Sequence, residues 1–226
     1  MDKCSILPDL VCWSPNISVT WATPLSGYGH VADEQPLPFI SMDGRELTPR
    51  FGGEEGDSET LHQTLPLPSG VLKSPLPLRD RLANLGKRRV NIYWRNVFHP
   101  FVKQDRYWFI EQLRFRRIEK GFVGESSLIR FERWVTVNRS RNEIVVSDII
   151  QAKQEISFQD FHYAHCAEMK TNQENMKIRV VPDPIQETMI SSSSGEGRLR
   201  YTAIDFLNLG KNQKLTSTVN YQFDNV

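Results

Sequence analysis

Residues 107–150 read YWFIEQLRFRRIEKGFVGESSLIRFERWVTVNRSRNEIVVSDII, and the alternation inside this stretch decides the fold. Tyr107, Phe109, Leu113 and Phe115 fall on one face of an extended strand, with Arg114 and Arg116 on the other. In a second strand Ile129, Phe131, Val135 and Val137 alternate with Arg130, Glu132, Trp134 and Thr136. A turn at Asn138-Arg139-Ser140-Arg141-Asn142 leads into a third strand, Glu143 to Ile150. A period of two marks a sheet with one buried and one wet face. A wet face rich in arginine is a candidate surface for an anion.

The same pattern spreads outward. Met176 to Val181, Arg198 to Asp205 and Leu215 to Phe223 read as strands, the last two joined through Gly210-Lys211-Asn212. Val90 to Val97 is strand-like, residues 79–89 suit one or two helical turns, and Phe158 to Met169 suits a short helix or a strand end. Ser191 to Gly197 reads as a loop. Ten of the thirteen prolines precede residue 79, which excludes long helices there and leaves short strands such as Ile17 to Ala22, Leu37 to Met42 and Thr60 to Leu65. Asp43-Gly44 reads as a hairpin turn, because both residues tolerate positive φ. The expected fold is all-β, an antiparallel β-sandwich, with a curled sheet or barrel as the alternative. Two parts are expected: a loop-rich acidic segment, 1–78, and an antiparallel β domain, 79–226.

With 226 residues, 39% hydrophobic and 24% charged, the chain is long enough and apolar enough to bury a core. No apolar run approaches the roughly 18 residues of a membrane helix, and the start has no secretory pattern, so the expected setting is cytoplasmic unless this is a piece of an exported protein. Three cysteines, Cys4, Cys12 and Cys166, do not make a disulfide framework. Charge is divided along the chain. Residues 1–78 carry 4 basic and 10 acidic residues, 79–141 carry 16 and 6, and 142–226 carry 8 and 11. The middle segment therefore holds a net of +10, either a binding face or a partner for the acidic segments within the fold.

Several groups could carry chemistry. His162-Tyr163-Ala164-His165-Cys166 is the densest set of metal-ligating types, and i, i+3 would pair two histidines on a helix. A zinc site needs three or four protein ligands, however, and His30, His62 and His99 are isolated, so no metal and no cofactor are expected. His162 and Tyr163 are also the types of a general acid and base pair. The arginines Arg114, Arg116, Arg117, Arg130, Arg133, Arg139 and Arg141 match carboxylate and sulfate geometry. Trp94, Tyr107, Trp108 and Trp134 could stack on sugar rings or on bases. The ligand-binding set is accordingly Arg114, Arg116, Arg130, Arg133, Trp94, Trp108 and Trp134. The competing reading is a solvated sheet face on which arginine stems cover apolar surface. No phosphate loop or nucleophile elbow occurs, and no nucleic-acid motif accompanies the charge. Asn16-Ile17-Ser18 and Asn138-Arg139-Ser140 fit a glycosylation triplet that requires export.

FIEQLRFRRIEKG (109–121), SSLIRFERWVTVNRSRNEIVVSDII (126–150) and GRLRYTAIDFLNLGKNQKLTSTVNYQF (197–223) together resemble the C-terminal β-sandwich of heparinase II/III-like polysaccharide lyases. In that family a basic strand precedes strands closing on a phrase matched here by Val145-Val146-Ser147-Asp148-Ile149-Ile150. The resemblance covers about residues 90–226. It implies a sandwich and, because the family's helical toroid and the catalytic Tyr and His positions that depend on it have no counterpart here, a module, fragment or degenerate relative rather than a complete lyase. The leading expectation is a non-catalytic module binding an anionic polysaccharide or an acidic protein surface. One rival is a lipocalin-like isomerase or cyclase with His99, Tyr107 or Asp148 facing a cavity. Another is an interaction scaffold whose proline-rich third wraps a partner.

Overall fold

The computed structural model describes residues 9–12, 17–21, 37–49, 69–72, 107–108, 113–170, 176–181, 186–192 and 195–223. They form fifteen strands and no α-helix: β1 (Asp9–Cys12), β2 (Ile17–Trp21), β3 (Phe39–Met42), β4 (Arg45–Glu46), β5 (Ser69–Leu72), β6 (Tyr107–Trp108), β7 (Arg114–Ile118), β8 (Gly121–Glu125), β9 (Ile129–Asn138), β10 (Glu143–Ala152), β11 (Ile156–Met169), β12 (Met176–Val181), β13 (Gln186–Ser192), β14 (Gly195–Leu209) and β15 (Lys214–Phe223). The expected strands at Thr60–Leu65 and Val90–Val97, and the helical turns at 79–89, lie outside the described residues.

Three antiparallel sheets result. A four-stranded sheet runs β1-β2-β3-β4, a six-stranded sheet runs β12-β15-β10-β9-β8-β7, and a five-stranded sheet runs β13-β14-β11-β5-β6. The all-β sandwich reading holds, and among the described residues the strands lie in separate sheets rather than one closed ring.

Strand alternation builds the core. On β9 the odd residues Ile129, Phe131, Arg133 and Val135 are buried, and on β10 the even residues Ile144, Val146, Asp148, Ile150 and Ala152 are buried. One apolar cluster joins Phe122, Ile129, Phe131 and Ile150 of the six-stranded sheet to Phe158, Phe161 and Tyr163 of the five-stranded sheet. A second joins Val135, Ile144, Val146, Val219 and Tyr221 to Val19, Trp21, Ile40 and Leu47 of the N-terminal part. Fully burying one such side chain contributes about 1.5–3 kcal/mol. At the far edge Arg200 on β14 bonds Glu187, Glu168 and the carbonyl oxygen of Ile178 on β12, tying the two large sheets together.

Turns obey backbone sterics. Asp43 and Gly44 have φ of 52° and 74° and close the β3–β4 hairpin, as their types predict. Gly121 has φ of 145°, and a Cβ there would lie 1.9 Å from the backbone oxygen of Arg133, so β8 can approach β9 only with glycine at this position.

Three readings of the sequence are corrected. The single strand from Tyr107 to Phe115 is two strands, β6 in the five-stranded sheet and β7 in the six-stranded one. Phe158 to Met169 is part of the 14-residue β11, with a bulge between Ala164 and Cys166. Ser191–Gly197 is largely hairpin, since Ser191 and Ser192 pair with Glu196 and Gly195.

Candidate functional site

Between the two larger apolar clusters runs a polar row built by register. Arg133 on β9 lies opposite Asp148 on β10, and Asp148 lies opposite Ser217 on β15. From the facing sheet, β11 supplies Tyr163 and His165. Arg133 Nε donates to Asp148 Oδ1 at 2.8 Å and Nη2 donates to Oδ2 at 2.7 Å. Tyr163 OH also donates to Asp148 Oδ2. His165 Nδ1 lies 2.8 Å from Ser217 Oγ, and Nε2 lies 2.7 Å from Thr202 Oγ1 on β14. The bulge places His165 here: it is the extra residue between Ala164, paired with Tyr201, and Cys166, paired with Arg200.

Electrostatics follow from burial. Burial opposes the Arg133 charge, but the Asp148 carboxylate outweighs it and holds the guanidinium above its usual pKa. The guanidinium also lies 5.8 and 5.6 Å from the ring centroids of Phe122 and Phe131. Burial pushes the Tyr163 hydroxyl well up, and Asp148 adds to that. Burial lowers His165 to about 4, so it is neutral near pH 7. The row is therefore one cation and one anion, mutually bonded, next to a neutral imidazole whose two nitrogens are both engaged. Cys166, the neighbour of His165, is buried and pushed up to about 12, which keeps it a thiol.

The outer face of the six-stranded sheet carries other residue types. Arg114 and Arg116 are exposed on the edge strand β7; Arg117 is exposed too, but its register opposite the buried Phe122 puts it on the other face. Arg114 lies opposite Glu125, and Glu125 lies opposite Arg130. Glu125 is bonded by Lys153 at 2.6 Å, and that bond lowers its pKa first among several causes. On β9, Glu132 accepts from Arg130 Nε and from Trp134 Nε1. Trp134 is 38% exposed. Arg114 and Arg116 form no ion pair among the described residues.

Of the residues marked in the sequence, Arg114, Arg116, Arg130 and Trp134 share this outer face. Arg133 does not: it is 0% exposed, inside the sandwich against Asp148. Its odd position, in step with Ile129, Phe131 and Val135, carried that signal. His162 is exposed and Tyr163 is buried, so these neighbours do not converge. His162 and His165 lie on a strand, not on a helix, and are not brought together as a ligand pair. Among the described residues no group of three His, Cys, Asp or Glu side chains is placed to hold a metal. Trp94 and His99 lie outside the described residues. Asp148, weighed as a cavity group, is instead occupied by Arg133 and Tyr163. Sequence reasoning missed Ser217 and Thr202, whose hydroxyls mattered only once β15 and β14 were placed, and Glu132, which looked like one charge among many. Among the described residues no helix is long and apolar enough to cross a membrane.

No family model matches the chain, and no curated protein matches it. Solved structures do. The heparan sulfate lyase HepC from Pedobacter heparinus is 11% identical with a TM-score of 0.48, covering 97% of this chain and 35% of that one. A heparinase III is 11% identical with a TM-score of 0.46, covering 96% of this chain and 35% of that one. The chain is distantly similar in structure to heparinase-type lyases and spans about a third of their length.

Proposed function

We propose that this chain is a non-catalytic β-sandwich module that binds an acidic polysaccharide through the outward-facing residues of β7 and β9. The observation that carries the reading is the exposure of Arg114 and Arg116 without an ion pair among the described residues, on the same face as the half-exposed Trp134. Arg114 and Arg130 stand two strands apart, about 10 Å at ordinary strand spacing. Guanidinium groups grip carboxylate or sulfate, and an indole ring covers the apolar face of a sugar. Trp108, on β6 of the five-stranded sheet, and Arg133, inside the sandwich, are not part of this face, and Trp94 lies outside the described residues.

An acidic protein surface would meet the same charges. Trp134 favours the sugar, because a flat ring beside arginines suits an apolar pyranose face next to an anionic group. The buried row supports a structural part for Arg133, Asp148, Tyr163 and His165, since these groups bond one another inside the core. The test is binding of the whole chain to acidic and neutral polysaccharides at low and high salt, with exposed contacts screened over about 8–10 Å at physiological ionic strength. Selective, salt-sensitive binding to acidic polymers, lost on replacing Arg114, Arg116 and Arg130 with Ala, is expected. Equal binding to neutral polymers, or none to acidic ones at low salt, overturns the reading.

A further inference from the structure

We propose that Glu132 is a positioning residue that makes this face selective for sugar acids over other polyanions, an inference that rests on the reading above. Arg130, Glu132 and Trp134 occupy successive outward positions of β9, about 13 Å from first to last at the usual strand rise. Glu132 Oε1 accepts from Arg130 Nε, and Glu132 Oε2 accepts from Trp134 Nε1 at 3.1 Å. The carboxylate is 17% exposed, between an arginine at 37% and a tryptophan at 38%. One side chain thus holds both of the more exposed groups, and each of its oxygens is used.

The consequence is chemical. Arg130 makes no other bond among the described residues, so its Nη1 and Nη2 remain as the donors it offers. The indole N–H is already taken, so Trp134 offers a ring face and no donor. A ligand for this pair must bring an anionic group and, a few ångströms away, an apolar face. A sugar acid has both. An acidic peptide such as poly-L-glutamate has the charge without the ring. Holding two side chains in place before binding spares their ordering, worth about tenfold in affinity.

Charge alone predicts the opposite sign. Removing a carboxylate from a face that binds anions strengthens every polyanion. Glu132→Gln keeps the shape, removes the charge, and leaves a single carbonyl oxygen that accepts from Arg130 or from Trp134 but cannot replace both carboxylate oxygens. The experiment measures binding of the whole chain and of Glu132→Gln, with Glu132→Ala as a second variant, to polygalacturonate and to poly-L-glutamate. Exchange of the Trp134 indole N–H is followed by NMR in the same proteins, its signal assigned through Trp134→Phe.

In the unchanged chain the indole N–H exchanges slowly and polygalacturonate binds more tightly than poly-L-glutamate. In the variants that exchange quickens, polygalacturonate weakens about tenfold, and poly-L-glutamate holds or strengthens. If both polymers strengthen together, or if the unchanged indole exchanges at the free rate, the inference is overturned while the parent reading stands. Binding of poly-L-glutamate without polygalacturonate makes the partner an acidic peptide and also overturns it. Binding of neither polymer by the unchanged chain fails the parent reading itself.

Discussion

Arg133 and Asp148 face each other across β9 and β10, in register and inside the sandwich, joined by two hydrogen bonds of 2.8 and 2.7 Å. A pair this deep is weak evidence for net stability, because desolvating both charges offsets their attraction. What it specifies is alignment. A slip of one residue between β9 and β10 would bury one charge without the other.

Removing one partner is therefore costly. Asp148→Ala leaves a buried guanidinium and lowers stability by about 3–5 kcal/mol. Arg133→Met combined with Asp148→Leu recovers most of that loss. Urea unfolding of Arg133→Met, Asp148→Leu and the double variant measures the coupling; additive losses would contradict it.

His165 predicts an acid-sensitive fold. Its folded value near 4 lies below the ordinary unfolded value of about 6.5. The unfolded state then binds more protons between those values, so the stabilisation is full above about 6.5 and is lost as pH falls toward 4. The loss reaches at most about 3 kcal/mol. The groups facing His165 are Asp148 and Arg133 on the six-stranded sheet, Tyr163 on its own strand, and the hydroxyls of Ser217 and Thr202. His165→Gln should flatten the melting temperature against pH in this window relative to the unchanged chain. An unaltered profile would show that His165 is not the sensor.

The sandwich was legible because β9, β10, β12 and β15 keep strict alternation between a wet and a dry face. β11 was not, because its bulge at His165 breaks the period and leaves Tyr163 to Met169 buried throughout, a run that matches neither strand nor helix spacing. β8 was missed because its short, glycine-bearing sequence is buried on both faces. At the candidate site, the odd position of Arg133, in step with Ile129, Phe131 and Val135, carried the signal of its burial, yet the arginine-rich composition of the strand put it in the ligand-binding set. The partnership of Tyr163 and His165 with Arg133 and Asp148 is long-range and has no local signature.

Adjacent residues of β11 give a sharp contrast. Tyr163→Phe removes a buried donor to Asp148 and should cost about 1–3 kcal/mol. His162→Ala, at an exposed position, should stay within about 0.5 kcal/mol. Thermal unfolding separates the two. Equal losses would mean that the described burial of these neighbours is wrong.

Gly121→Ala forces a Cβ toward the Arg133 carbonyl at a backbone angle that side chains rarely adopt. It should destabilise by more than about 1 kcal/mol. Hydrogen exchange should report the loss first in β7, β8 and β9. Protection unchanged across these strands would contradict the tight approach of β8 to β9.

Salt-dependent binding of the whole chain to polygalacturonate, dextran sulfate and neutral dextran tests the central claim most directly. The account predicts binding to the two acidic polymers, weakening as salt rises, and abolished in an Arg114→Ala, Arg116→Ala, Arg130→Ala triple variant whose melting temperature stays close to that of the unchanged chain. Binding that ignores salt, persists in the triple variant, or extends equally to neutral dextran would contradict it.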